Sequence, residues 1–447
     1  MGVHGLTGVL TRYAPKSVRN VSPSLFAHQS IAIDASCHLN KFMYGDEPHP
    51  YKHIYGFYLL SKYCDLNHIN PVFIFDGPER LEAKRLEHVK REKTRTKVKH
   101  SLALERDQTS RLDFWLQISK DKCRRLDTDQ AVNVLTEMNN TLDEMETHSP
   151  DEKAILEEKI ASIAEKLQMA VESAKDNELY TRTARALVTK EQEIIGDLIY
   201  TRWNEIQSAL TDLRYANRAM VTSLEKRSIR ITQALRSECQ HFLTGLGYTC
   251  FSCNKHEAEA MCAKMSKLKR TTATVTEDLD TLVFGDAPIL RYFFARTRPI
   301  LCIDPIIARK ELGLSKNAFI DFCILCGTDF SGTIKGIGPF RALEFIQRHG
   351  SIEKLLASLD SKYIPHDTFD YRLARKVFKS LPRAPRLSKH ETTYQRSQVD
   401  QDKVEKLLAK YEIDPQEAEN KVRSILLQQT ILNHQTWQAD PFAKLYI

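Results

Sequence analysis

The sequence predicts an α/β fold: a mostly parallel sheet flanked by helices and interrupted by a long helical insertion. Two observations carry this. Three short, apolar, β-prone runs each end in an acid: SIAIDAS at Asp34, NPVFIFDG at Asp76, and TTATVTEDLD at Asp278 and Asp280. Helical stretches separate these runs, which makes parallel pairing through crossovers the economical arrangement. From about Glu92 to Ser237, in contrast, glycine and proline nearly vanish and long runs of good helix formers take over.

The first two runs place acids at strand ends. In an open α/β sheet, ligands collect beyond the carboxyl ends of the strands, so acids ending three strands converge on one rim. In a strand, residues two apart face the same side; the third run therefore predicts that Asp278 and Asp280 share a face. In HEAEAMCAK, Glu257 and Glu259 open a helix, where the dipole favours carboxylates. Each acid taken alone reads as a solvated surface residue. Gathered at a buried rim they repel one another unless a cation neutralises them. Oxygen ligands without nearby His or Cys suit magnesium or manganese rather than zinc. Two such ions would activate a water and stabilise the leaving oxygen of an in-line phosphoryl displacement.

The basic run after Asp76, PERLEAKRLEHVKREKTRTKVKH, reads as a helix. It carries Lys84, Arg91 and Arg95 at i, i+7 and i+11, on one face. A solvated helix with i,i+4 pairs such as Glu87–Arg91 is the ordinary explanation; beside the acids, phosphate binding becomes the preferred one.

Within the insertion, Leu156, Ile160, Ile163, Leu167, Ala170 and Ala174 follow a 4-3-4-3 spacing. Ile199, Trp203, Ile206, Leu210, Leu213, Asn217, Met220 and Leu224 continue it, with one polar position. This is the pattern of a coiled-coil seam. THSPDE, residues 147–152, holds Pro150 and reads as a turn, so the insertion folds back on itself; a dimerising coiled coil is the competing reading.

After residue 300 the chain is predicted helical. Ser315 is a helix N-cap in ELGLSKNAF. In GTIKGIGPFRALEFIQRHG, Gly336 and Gly338 precede Pro339 at the first turn of a helix and Gly350 follows its end. Backbone amides at such a turn make a phosphate site, to which Lys335 and Arg341 add charge, although a lone glycine turn usually just connects helices.

The totals bound the function loosely. At 447 residues the chain has room for two or three domains. A net charge of +7 and a pI near 8.7 lean towards a polyanionic partner, but only weakly over this length. No apolar run reaches the length of a membrane span, so a soluble protein is expected. A myristoylation reading of the Met1-Gly2 start fails because Leu6 stands where Ser or Thr is needed. The stretch before Asp34 contains no acid and several basic residues, a transit-peptide-like composition; the start of the folded domain is the preferred reading. Ten cysteines without a secretory signal point to reduced thiols. The pairs Cys250/Cys253 and Cys323/Cys326 are too far apart for a zinc ribbon, and buried structural cysteines are expected.

MGVHGL, IAIDAS, VFIFDGP, HEAEAMCA, TEDLDTLVFG and LCGTDFSGTIKGIGPFRA occur here in that order. In this the chain resembles the flap endonucleases and the wider XPG/Rad2-type structure-specific 5′ nucleases, over residues 1–95 and about 237–430. The resemblance implies a PIN-like core made of residues 1–95 and 237–300, with a helical arch over 96–236. It further implies a DNA-binding helix–two-turn–helix over 301–390 and a C-terminal helical segment, 391–447, packing on the core. One divalent ion, Mg2+ or Mn2+, would rest on Asp34, Asp76 and Glu259 with Glu257 nearby. The other would rest on Asp278 and Asp280, with Asp329 in the outer shell. Lys84 and Arg91 match the family's basic pair facing the scissile phosphate, which with Asp278 gives the expected catalytic residues. Gly2 matches the glycine beside the active site; Lys335, Gly336, Gly338 and Arg341 are expected to contact DNA, through a K+ ion at the turn. DNA with a 5′ flap or junction is the implied partner, in repair or replication, in the nucleus by family habit or in the mitochondrion.

Departures from the family are equally specific. Asn40 replaces a tyrosine that stacks on a base, and the segment from Phe42 to Tyr55 is shorter than usual. Phe340 replaces a basic residue, and Gln429 begins QTILNHQT, which lacks the paired aromatics of a clamp-binding motif. The insertion is about twice the usual arch, and either a protein partner or self-association would use it. Two further readings stand: a catalytically silent scaffold that binds nucleic acid or protein, and an RNA 5′ nuclease on the same fold.

Overall fold

The acid-ended runs of the sequence contribute the middle of one seven-stranded sheet in this computed structural model, which describes residues 2–79, 81–123, 166–167, 169–174, 177, 179–196, 203–253, 255–385, 394 and 396–439. The strands are β1 (Val18–Val21), β2 (Ser30–Asp34), β3 (Asn70–Phe75), β4 (Thr249–Ser252), β5 (Thr274–Val275), β6 (Ile289–Arg291) and β7 (Ile300–Ile303). Their order is β1-β7-β6-β5-β2-β3-β4. From β6 to β4 every neighbour is parallel, whereas β7 runs antiparallel to both β6 and β1. All five residues of β2 are buried, as the unbroken apolar run requires when helices cover both faces of a parallel sheet.

Two local expectations are corrected. The third acid-ended run does not continue as a strand to Asp280: β5 stops at Val275. The Asp278 amide donates to Thr276 Oγ1 and the Asp280 amide to Asp278 Oδ1, both at 3.0 Å. Side chains thus take over backbone donors that a ladder would have used, and the chain turns into the short helix Thr281–Phe284. Nor is the chain helical from residue 300: β7 closes the sheet against β1, a strand too short to show a period.

The structure divides into two units, Met1–His88 with Ile231–Ile447, and Val89–Arg230. In the first, helices Leu6–Tyr13, Lys316–Cys326 and Pro339–His349 share one core through residues such as Leu6, Leu10, Phe322 and Leu343. Ser315 caps its helix by accepting from the Ala318 amide, and Gly350 ends the other at φ 80°. Cys323 and Cys326 lie in this core and Cys253 in another, whereas Cys250 is only half-buried, against expectation, at the end strand β4; all four are free thiols. Gln429 is buried: it accepts from the Tyr63 hydroxyl and donates to the Phe293 and Ala295 carbonyls, serving as an internal polar anchor.

The second unit contains the helices Arg182–Gly196 and Trp203–Ser228 and most of Arg85–Cys123. Leu210, Leu213 and Leu224 are buried as the seam predicts. Asn217, its polar position, is buried too and bonds Glu105, Gln108 and Thr109. Arg111 grips Glu191 with two bonds of 2.7 and 2.8 Å, both side chains buried. Leu156, Ile160, Ile163, Ile199 and the 147–152 turn lie outside the described residues, as do the side chains of Trp203 and Ile206. Among the described residues no helix is long and apolar enough to cross a membrane.

Candidate active site

Parallel pairing of β5, β2 and β3 brings the ends of the acid-bearing runs side by side. Asp34 ends β2 and caps the helix Ala35–Tyr44 by accepting from the Cys37 amide at 2.9 Å. Its other oxygen accepts from the Thr276 hydroxyl at 2.8 Å, which ties β2 to the turn after β5. From Thr276 the bonds run on through Asp278 to Asp280, so three acids share one chain of hydrogen bonds. Asp76, just past β3, is held by its amide donating to Ser36 Oγ. Its carboxylate accepts the Ala258 amide at 2.9 Å and so caps, from another segment, the helix Ala258–Lys267 that Glu257 and Glu259 open.

Lys84 supplies the positive charge. It is not on the long basic helix, as the spacing predicts, but in a 3-10 turn, Glu82–Lys84, immediately before the helix Arg85–Cys123. There its side chain is buried, with Nζ 2.7 Å from Glu257 Oε1 and 3.6 Å from Asp329 Oδ2, over the Phe330 ring. Asp329 stands in the turn that follows the helix Lys316–Cys326. Gly2 is buried at φ 78°; a Cβ there would overlap the Asp278 carboxylate and reach 2.6 Å from the Asp280 amide.

Crowding and burial show in the acids' protonation. Burial, then the charge of Asp76, raises Asp34 to about 7. Burial raises Glu257 to about 7 against the pull of Lys84. Glu259 and Asp280 are pushed well above the carboxylate range by burial and by neighbouring acids, and burial raises Asp278. Burial works against the charge of Lys84, but Glu257, Glu259 and Asp329 outweigh it and raise its pKa. Asp280 Oδ1 is buried with no hydrogen-bond partner. Among the described residues no three of these groups already close around one ion-sized point. The donor set nonetheless fits hard divalent cations: it consists of carboxylate oxygens, one of them orphaned, in a place where unneutralised charge is costly.

Arg91 is exposed on the helix Arg85–Cys123, in the helical unit. Lys335, Gly336 and Gly338 are exposed on the turn ahead of Pro339. Gly336 has φ 86° and would press a Cβ to 3.2 Å from the Tyr363 ring. Arg341 folds back to donate to the Gly336 carbonyl at 2.7 Å. Thr276 and Ser36 fix the acids without belonging to any acidic motif; the alternation in TVTEDLD, with Thr276 two before Asp278, is the sequence signal for the first.

The XPG N-terminal domain matches residues 1–98 and the XPG I-region residues 252–329. Flap endonuclease 1 of Ostreococcus lucimarinus is 40% identical over 181 residues, 39% of this chain and 46% of that protein. Flap endonuclease 1 of Caenorhabditis elegans is 34% identical over 201 residues, 44% of this chain and 52% of that one. The matched stretch thus spans about half the length of these relatives. The catalytic core of Rad2 in complex with DNA substrate superposes over 95% of this chain and 99% of that one, with a TM-score of 0.52 at 16% identity, a likeness of fold. The resemblance drawn from the six motif blocks therefore holds, on the segments that bear the acids.

Proposed function

We propose that this chain, which carries the XPG N-terminal and I-regions, is a metal-dependent, structure-selective 5′ nuclease that hydrolyses phosphodiester bonds at flaps or junctions in DNA. One observation carries the reading. Buried carboxylates from distant segments meet at the ends of three parallel strands, with the buried Lys84 among them. Such a cluster is unfavourable without multivalent cations.

Asp34, Asp76 and Glu259, with Glu257 beside them, would hold one divalent ion, and Asp278 and Asp280, with Asp329 behind, the other. Magnesium or manganese bound there would supply an activated water and neutralise the leaving oxygen. Thr276 and the Ala258 and Cys37 amides hold the Asp34 and Asp76 carboxylates, and the remaining acids would close in on the ions as these bind. Lys84 would set the scissile phosphate, and Arg91 on the following helix would add positive charge for the DNA backbone. The amides around Gly336 and Gly338, with Lys335 and Arg341, would grip the duplex backbone, a potassium ion adding positive charge there. Gly2 lets the Asp278 carboxylate and the Asp280 amide pack where any Cβ would overlap them. The reading places the protein in DNA repair or replication, in the nucleus. A silent scaffold is not favoured, because it has no need of seven acids gathered on one rim.

The test is cleavage of labelled flap, nicked, bubble and single-stranded DNA, and of matched RNA, with magnesium, beside an Asp278→Asn variant. Cutting near the duplex junction that the variant loses is expected. Equal cutting by both proteins rejects the site; no cutting by the wild type favours the scaffold; preferential cutting of RNA moves the substrate class.

A further inference from the structure

The turn proposed to grip the duplex carries an exposed aromatic. Phe340 is 49% exposed at the second position of the helix Pro339–His349. Beside it stands Tyr13, 45% exposed at the end of the helix Leu6–Tyr13, with the ring centroids 6.1 Å apart at 66°. The Arg12 guanidinium lies against both rings, 5.4 Å from the Tyr13 centroid and 5.7 Å from that of Phe340. Among the described residues Arg12 makes no hydrogen bond or ion pair, so its N–H donors remain available at the edges of its plane. A Cβ on Gly5 would come within 2.5 Å of Pro339, so the start of the first helix sits directly on the start of the second.

Two exposed rings pinned around a free guanidinium cost solvation and gain nothing for the core. Lys335 and Arg341 flank them on the same turn and make the surroundings cationic. We propose that Tyr13, Phe340 and Arg12 form a stacking platform for an unpaired nucleobase of the DNA strand adjoining the gripped duplex, with Arg12 donating to the neighbouring phosphate. Every base has a π-face and every linkage a phosphate, so the site takes single-stranded DNA irrespective of sequence. The platform rests on the nuclease reading. It deepens that reading by setting an aromatic contact beside the cationic ones of the turn, which favours substrates with unpaired nucleotides here over continuous duplex.

The full chain is tested by DNA binding in calcium, without cleavage, from 50 to 200 mM salt. The probes are a blunt duplex and the same duplex with a single-stranded extension carrying 2-aminopurine beside the junction. Phe340→Ala is expected to bind the extended probe ~10-fold more weakly, with an unchanged salt slope, loss of 2-aminopurine quenching and unaltered binding of blunt duplex. Phe340→Lys is expected to steepen the salt slope by about one without restoring the quenching. Arg12→Gln should make the slope shallower by about one. Phe340→Ala that binds the extended probe like wild type, or weakens equally on both probes, overturns the platform while the nuclease reading stands. A wild type that binds neither probe and cuts nothing overturns the nuclease reading itself. Melting curves of the variants, expected to match wild type because both rings are exposed, exclude misfolding as the cause of any loss.

Discussion

The Lys84 ammonium lies 2.7 Å from the Glu257 carboxylate and 3.6 Å from that of Asp329, which makes a side chain of the protein itself the counter-ion of the acid rim. The geometry sets it in competition with the cations that the rim would bind. Lys84→Met removes the competitor and takes from Glu257 its ammonium partner. Without metal the variant should lose about 3–5 kcal/mol of stability, the usual result of breaking a buried pair from one side. In manganese that loss should shrink, and the ion should bind more tightly than to wild type, while cleavage falls ~10²-fold for want of charge at the phosphate. Melting and calorimetry with and without manganese check this; weaker manganese binding by the variant would contradict it.

Gly2→Ala should damage cleavage without unfolding the protein. The residue combines a φ of 78° with a Cβ direction aimed at Asp278 Oδ1 and the Asp280 amide. Alanine must push the N-terminal segment or both acids aside, with strain of about 1–2 kcal/mol. Cleavage rates at saturating DNA should drop at least ~10-fold, with weakened manganese binding and a melting shift of only a few degrees. Wild-type rates would show that the acids do not depend on this close approach.

Glu105 should make the helical unit sensitive to pH. It is buried, and burial raises it to about 7 while Asn217 and Arg111 pull it down and Glu191 pushes it up. Asn217 donates to Glu105 Oε2, and Oε1 has no partner. Because the folded value lies above the unfolded one, the folded state binds the extra proton. Its stabilising effect is whole below about 4.5 and is lost as pH rises through about 7. Amide hydrogen exchange around Leu102, Gln108 and Asn217 should therefore quicken from pH 5 to pH 8, after correction for intrinsic rates. Glu105→Gln should abolish that trend; a trend that survives in the variant would assign it to other groups.

Much of this architecture was legible because its signals are local. Asp34 and Asp76 close apolar runs long enough to identify β2 and β3, and parallel pairing then carries them to a common edge. Glu257 and Glu259 sit where an Ala-rich helix begins, and the glycines around Pro339 mark a helix start that the structure has. Asp278 and Asp280 arrive at the rim by another route than a shared strand face, since hydrogen bonding between close neighbours ends β5 early. Strands β1, β4, β6 and β7 have three or four residues each, too few for any periodicity. Lys84 was assigned to a helix face because charge spacing does not reveal a 3-10 turn. The cap that Asp76 provides to the Ala258 amide joins residues 182 apart in sequence, a distance over which only the folded topology brings them together.

The central claim, that carboxylates from distant segments act together on divalent cations, is tested most directly by calorimetric titration of manganese into wild type, Asp34→Asn and Asp280→Asn, with melting curves as the check on folding. The account predicts that wild type takes up a pair of ions and is stabilised by them. Each variant, though folded, should lose at least one ion and most of the stabilisation. Identical uptake by all three proteins would contradict the account.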